Sequence, residues 1–139
     1  MALPVNVAPD AELALIQYLR SRTEITSLVP SARITTTRPT SPTYPLILVQ
    51  RIGGTSLAWN AIDEAAYQID VVAGVDDRYL CQRIARTIAG CVLALANDNV
   101  TEGVLASASE EVGPQWMPDM VVVPPLARFV ARYRVLLHK

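Results

Sequence analysis

Few side chains in this 139-residue sequence belong to types that do chemistry. His138 is the sole histidine, one residue from the end of the sequence where chains fray, so neither a histidine triad nor a multi-histidine metal centre is available. Cys81 and Cys91 fall ten positions apart in a segment read below as one helix. That separates them by about 15 Å, too far for a mutual disulfide, and the spacing is not that of a thiolate zinc site. They read as small core residues of a reduced, intracellular chain. Asp63 and Glu64 could gather a metal ion with Asp70, although no spacing demands it. In the pairs Asp76-Asp77 and Glu110-Glu111, strand neighbours would point to opposite faces, so a helix cap or a solvated loop is the expected role. Gly53-Gly54 precedes Thr55-Ser56-Leu57, with no lysine for a phosphate loop and no third glycine at dinucleotide spacing. The expectation is no catalytic residue, no metal and no cofactor.

What remains is contact chemistry. All basic residues but Lys139 are arginines, which suit fixed, multi-donor interface contacts, although genomic base composition gives the same count. Arg128, Arg132 and Arg134 form a stripe near the end of the sequence with no acid among residues 128–139. Three roles stay open for it: an ordinary solvated face, salt bridges to a neighbouring subunit, or contact with a passing polyanion. Trp59, beside Asn60, and Trp116 both fall in expected loops and are candidate interface residues, or else caps on the core.

These residues must be positioned by a few short elements. Asp10 is a good N-cap for a helix over about 11–20, with Glu12 in its first turn and Leu13, Ile16 and Leu19 on one face. Residues 1–9 are read as an extended arm. A further helical turn over 23–29 closes at Pro30, residues 33–37 are extended, and three prolines between 38 and 45 forbid regular structure. Leu46–Ile52 is the strongest strand, ended by Gly53-Gly54, and residues 53–64 form a loop to a strand with Tyr67, Ile69, Val71 and Ala73 on its apolar face. Asp76 or Asp77 caps a helix reaching about 95, with Leu80, Ile84, Ile88, Cys91 and Leu95 as its buried stripe and Arg78, Arg83 and Arg86 turned away. Gly90 inside it implies close packing or a bend. A small-residue strand over 103–111 leads to a structured loop over 113–125 with a short β-piece at Met120–Val123. The last strand turns Phe129, Ala131, Tyr133, Val135 and Leu137 one way and Arg128, Arg132, Arg134 and His138 the other.

The chain is 51% hydrophobic and 18% charged, with a formal net charge of −1. That excludes general disorder and any strong electrostatic pull on nucleic acid. No leader pattern and no apolar run of membrane-spanning length are seen. The fold class expected is α+β in one domain over 1–139: a mainly antiparallel or mixed sheet of about four to five strands, with two helices on one face.

In order and spacing these segments resemble the tail terminator, or tail completion, proteins of long-tailed phages. The likeness lies in the leading helix Ala11 to Arg20, Leu28-Val29-Pro30 before Arg33-Ile34, and Arg38-Pro39 to Tyr44-Pro45 running into Leu46-Ile47-Leu48-Val49. It continues through the Tyr67–Val72 strand, the helix from Asp76, and Trp116-Met117-Pro118-Asp119 ahead of the strand holding Arg128 and Tyr133. The resemblance covers about residues 10–137. It implies a structural virion protein in the tail and neck, assembled in the host cytoplasm, with no catalytic residues to carry over. Six copies would form a ring that ends tail-tube polymerisation and joins the tube to the head connector, with DNA passing through the lumen unread. It implies that residues 53–64 face a neighbouring ring. In such a bore, Arg128, Arg132 and Arg134 are expected to pair with acids of a neighbouring subunit. The competing readings are a head-completion or stopper protein of the neck, and a small non-viral α+β module that binds protein.

Overall fold

A computed structural model describes residues 2–139. In chain order the elements are α1 (Ala11–Ser21), α2 (Thr23–Thr26), a 3-10 turn (Ser31–Arg33), β1 (Ile34–Thr35), β2 (Leu46–Leu57), β3 (Ile62–Ala73), α3 (Arg78–Leu93), β4 (Asp98–Val100), β5 (Gly103–Trp116) and β6 (Ala127–His138). The strands form one sheet of six, more than the four to five expected, in the order β1-β2-β3-β6-β5-β4. β1 runs parallel to β2 and every other pair is antiparallel, so the sheet is mixed.

The helix over 11–21 begins where Asp10 predicts, its carboxylate accepting the Leu13 N–H at 3.0 Å. Its buried face is Ala11, Ala14, Leu15, Ile16, Tyr18 and Leu19; Leu13, expected on that face, is exposed. α3 buries Ile84, Ile88 and Cys91 as expected, together with Cys81, Ala85, Ala89 and Val92, while Leu80 is only half-buried. Asp77 holds its N-cap position without a side-chain capping bond. Gly90 meets nothing within 4 Å of where a Cβ would stand, so of the two alternatives expected there, close packing or a bend, the close packing is absent.

Two breaks expected from glycine and proline are not breaks. β2 continues through Gly53-Gly54 to Leu57, and most of the expected 53–64 loop is a long β2–β3 hairpin. The ladder slips one residue between Arg51 and Gly53, a β-bulge that Gly54 serves at φ +116°. A Cβ on Gly54 would collide with the Glu64 carbonyl oxygen, so no other residue fits. β5 likewise runs past Gly113-Pro114 to Trp116, and register slips on both sides of Val112 absorb the proline that cannot donate to a ladder. The expected β-piece at Met120–Val123 is a turn, closed by a single bridge between Asp119 and Leu126. Of residues 33–37, only Ile34 and Thr35 pair as a strand.

The helices cover one face of the sheet. Tyr67, Ile69, Val71 and Ala73 of β3 and Phe129, Ala131, Tyr133, Val135 and Leu137 of β6 point into that core, as their alternation predicts. The other face is also partly closed, with Leu46, Leu48, Val72 and Val130 buried there. On that side the segment 117–126 folds back: Arg128 Nε donates to the Met117 carbonyl at 2.8 Å, and Asp119 pairs with Arg38 at 2.8 Å. No helix among the described residues is long and apolar enough to cross a membrane.

Candidate assembly surfaces

β3 spans twelve residues, about 36 Å of extended chain, and it sets the distance between two exposed ends of the molecule. At one end lies the tip of the β2–β3 hairpin. Ala58, Trp59 and Asn60 all take left-handed backbone conformations, with φ of 48°, 56° and 65°. Three such residues in a row are costly outside glycine, and neighbouring bonds hold them. Asn6 Nδ2 donates to the Trp59 carbonyl at 2.5 Å, Asn60 Nδ2 donates to the Asn6 carbonyl at 2.7 Å, and the Lys139 N–H donates to the Ala61 carbonyl at 2.8 Å. The Lys139 ammonium also donates to Asn6 Oδ1 and the Val7 carbonyl, both at 2.7 Å. The Trp59 side chain is left 58% exposed beside exposed Leu57.

At the other end, where Ala73 pairs with Ala127, the 117–126 flap projects. Met120, Val121, Val122 and Val123 are consecutive and none is buried; Val121 is 91% exposed. The base beneath them is pinned. Asp119 is itself buried, ion-paired to Arg38, and accepts the Val121 N–H at 3.1 Å. Burial pushes its carboxyl up, but the Arg38 and Val121 hydrogen bonds and the charges of Arg38 and Arg128 outweigh that and hold it below the usual aspartate value. Exposed Val75 and Tyr79 lie in the β3–α3 connection and the first turn of α3. Sequence reading singles out Trp59 but misses this aliphatic run. Its signal is four aliphatic residues hemmed between Pro118 and Pro124-Pro125, too constrained to join a ladder.

The other sequence candidates are dispersed. Trp116 ends β5 rather than lying in a loop. Its ring packs on Phe129 with centroids 5.3 Å apart, and the Arg78 guanidinium sits 4.2 Å above it. Trp116 therefore covers an edge of the core while staying 37% exposed. Of the arginine stripe, Arg134 pairs with Glu111 at 2.6 Å and Glu64 at 3.5 Å, and Arg128 reaches Asp70 at 3.8 Å. The partners expected on a neighbouring subunit are thus supplied to these two by β3 and β5 of the same chain. Arg132 has no ion pair among the described residues and lines a groove of about 330 Å³ with Gln68, Val112, Gln115, Met117, Arg128 and Val130.

The acidic trio of β3 does not converge. Asp63 points to the helix side, where it is fully buried against the Arg51 guanidinium. Glu64 and Asp70 point to the opposite face, each toward its own arginine. No group of three metal-binding side chains occurs among the described residues. Both cysteines are free and buried; Cys81 donates to the Val71 carbonyl, and burial pushes its thiol up to about 11 against a smaller backbone hydrogen-bond effect.

Two exposed apolar ends, with paired charges between them, are thus carried on a mixed six-stranded sheet with helices on one face. A chain in a solved structure titled "Virion of native gene transfer agent (GTA) particle" has this fold, with a TM-score of 0.68 over 93% of this chain and 95% of that one, at 14% identity. No curated protein matches it. The family model described as "Phage tail termination protein" matches residues 7–133. A match from Val7 to Tyr133 spans every element from α1 into β6, and by it the chain belongs to the phage tail termination protein family, as a structural protein of the virion and not an enzyme.

Proposed function

We propose that copies of this chain close into a ring of about six subunits that caps the last ring of the tail tube, stops its growth and presents its far side to the head connector. The observation behind this reading is the pair of exposed apolar tips at opposite ends of one rigid sheet. Trp59 and Leu57 stand on a clamped hairpin, and Met120 to Val123 stand on an ion-paired flap. Each tip is held before binding, so docking loses little conformational freedom. A joining protein must meet two different partners at once, and two separated tips allow that. The side chains between them leave no strongly basic bore: Arg128 and Arg134 have acids of their own, and the formal net charge is −1. DNA would pass such a surface without being held.

The experiment is a pair of tip variants tested against both partners. Trp59→Ser is expected to weaken binding at one partner, tube or connector, by about tenfold or more, as for a central aromatic contact. Val121→Asp with Val123→Asp is expected to weaken the other partner alone. Loss of both partners in both variants, or of neither, overturns the two-ended reading.

A further inference from the structure

The segment before α1 combines an unused strand with a direction of travel. Residues 2–9 contain no charged side chain, and Leu3, Val5 and Val7 alternate with Pro4, Asn6 and Ala8. The three aliphatic residues are 77%, 89% and 71% exposed, while Asn6 between them is turned onto the hairpin tip and Lys139. No backbone N–H of residues 2–8 finds a backbone partner among the described residues. The alternation matters for pairing. In an extended chain the N–H and C=O of one residue point to the same side and those of the next to the other. Pro4, which has no N–H, shares its side with Asn6, whose carbonyl already accepts from Asn60. Leu3 and Val5 keep all their donors and acceptors on the opposite side.

The path of the arm is fixed at two points. The Asp10 N–H donates to Glu102 in the β4–β5 turn at 3.0 Å, and Asn6 bonds the β2–β3 tip. The arm thus runs from the β4–β5 turn, where Asp10 is held, to the β2–β3 tip, where Asn6 is held, and residues 2–5 make no backbone hydrogen bond beyond that anchor among the described residues. A second copy placed side by side in the same orientation would turn its β4–β5 side toward the β1–β2 side of the first, where the β2–β3 tip anchors the arm. β4 pairs only with Gly103 to Leu105, and the Ala106 carbonyl takes the Asn97 N–H at 3.4 Å. The outer edge of β5 is open beyond that point, where Ser107, Ala108 and Ser109 are small and uncharged. Such an edge accepts an added strand.

We infer that residues 2–5 form a strap between copies, with Leu3 and Val5 of one subunit pairing along the open β5 edge at Ser107–Ser109 of the next. The contact is head-to-tail, and repeated copies close a ring. This rests on the ring proposed above and adds the segment that links its members. Asn6, Asn60 and Lys139 set the angle at which the strap leaves its own subunit.

Two experiments on the full-length chain test the strap. Leu3→Cys combined with Ser107→Cys, mildly oxidised, is expected to give a ladder of disulfide-linked multimers on a non-reducing gel. Neither single variant should give it, and Cys81 and Cys91 stay silent because they are buried. Deletion of residues 2–5 is expected to weaken ring formation about tenfold or more, read by light scattering alone and on tube ends. The melting temperature should not change, since these residues are exposed. A wild-type ring that survives the deletion, or a double variant that links only within one chain, overturns the strap and leaves the ring standing. An intact chain that forms no ring, alone or on tubes, overturns both.

Discussion

Tyr67 and Tyr133 sit opposite each other across β3 and β6, both fully buried, and differ in one hydrogen bond. The Tyr67 hydroxyl donates to the Ala11 carbonyl at 2.6 Å and so ties the start of α1 to the sheet. The Tyr133 hydroxyl finds no partner among the described residues. Burial raises the pKa of both, chiefly by desolvation, so each stays a neutral phenol across the physiological range. Tyr67→Phe is therefore expected to cost about 1 kcal/mol, and Tyr133→Phe to be neutral or to stabilise by up to about 1 kcal/mol, because it removes an unpaired buried polar group. Urea unfolding of the two variants checks this. A larger loss from Tyr133→Phe than from Tyr67→Phe would contradict it. Alternation along each strand places both tyrosines in the core. Whether each hydroxyl finds a partner is not legible in the sequence, because that depends on elements far away along the chain.

Among elements, α1 and β6 are the most legible, because a capping aspartate and an alternation interrupted only at Val130 and Leu136 are local signals. The long strands read as shorter than they are, since glycine and proline are ordinarily breakers. Here bulges at Arg51/Gly53 and around Val112 absorb them, and a bulge is visible only once the partner strand is known. Gly54 and Gly90 make the contrast testable. Gly54→Ala is expected to destabilise by more than about 2 kcal/mol, on the order of a forced backbone clash, because its methyl would strike the Glu64 carbonyl. Gly90→Ala stands in open space within α3 and is expected to stabilise by about 0.5–1 kcal/mol. Thermal melts of both variants decide; stabilisation by Gly54→Ala would refute the bulge account. The flap carries a pH dependence of its own. The Asp119 pKa is lowered in the fold, so its stabilisation is full above the ordinary aspartate range and is lost as pH falls through the native value. Hydrogen exchange at the Val121 N–H should therefore lose protection in acid, beyond the normal pH effect on exchange chemistry. Asp119→Asn should remove that dependence.

At the scale of the whole molecule, the order and spacing of the segments, by their resemblance to tail terminator proteins, are what point to assembly in the amino-acid sequence, and a near-zero net charge with 51% hydrophobic residues suits that role. The exposed surfaces proposed as the site are half legible there. Trp59 and Asn60 stand on an exposed tip, whereas Trp116 is largely committed to Phe129 and Arg78 and two of the three arginines to acids within the chain. The clamp formed by Asn6, Asn60 and Lys139 is hidden from sequence reading because it joins residues more than 50 positions apart. The second tip leaves a trace in its proline-hemmed aliphatic run, but the Arg38–Asp119 pair that pins its base joins two loops distant along the chain and is not legible. A two-ended cap would halt growth of the tail tube, and tube growth measures that directly. Purified tube protein should be polymerised with and without this protein, and the tubes imaged in negative stain. Shorter tubes are expected, with ring-shaped density of this protein at one end of each. Tubes of unchanged length with bare ends would contradict it.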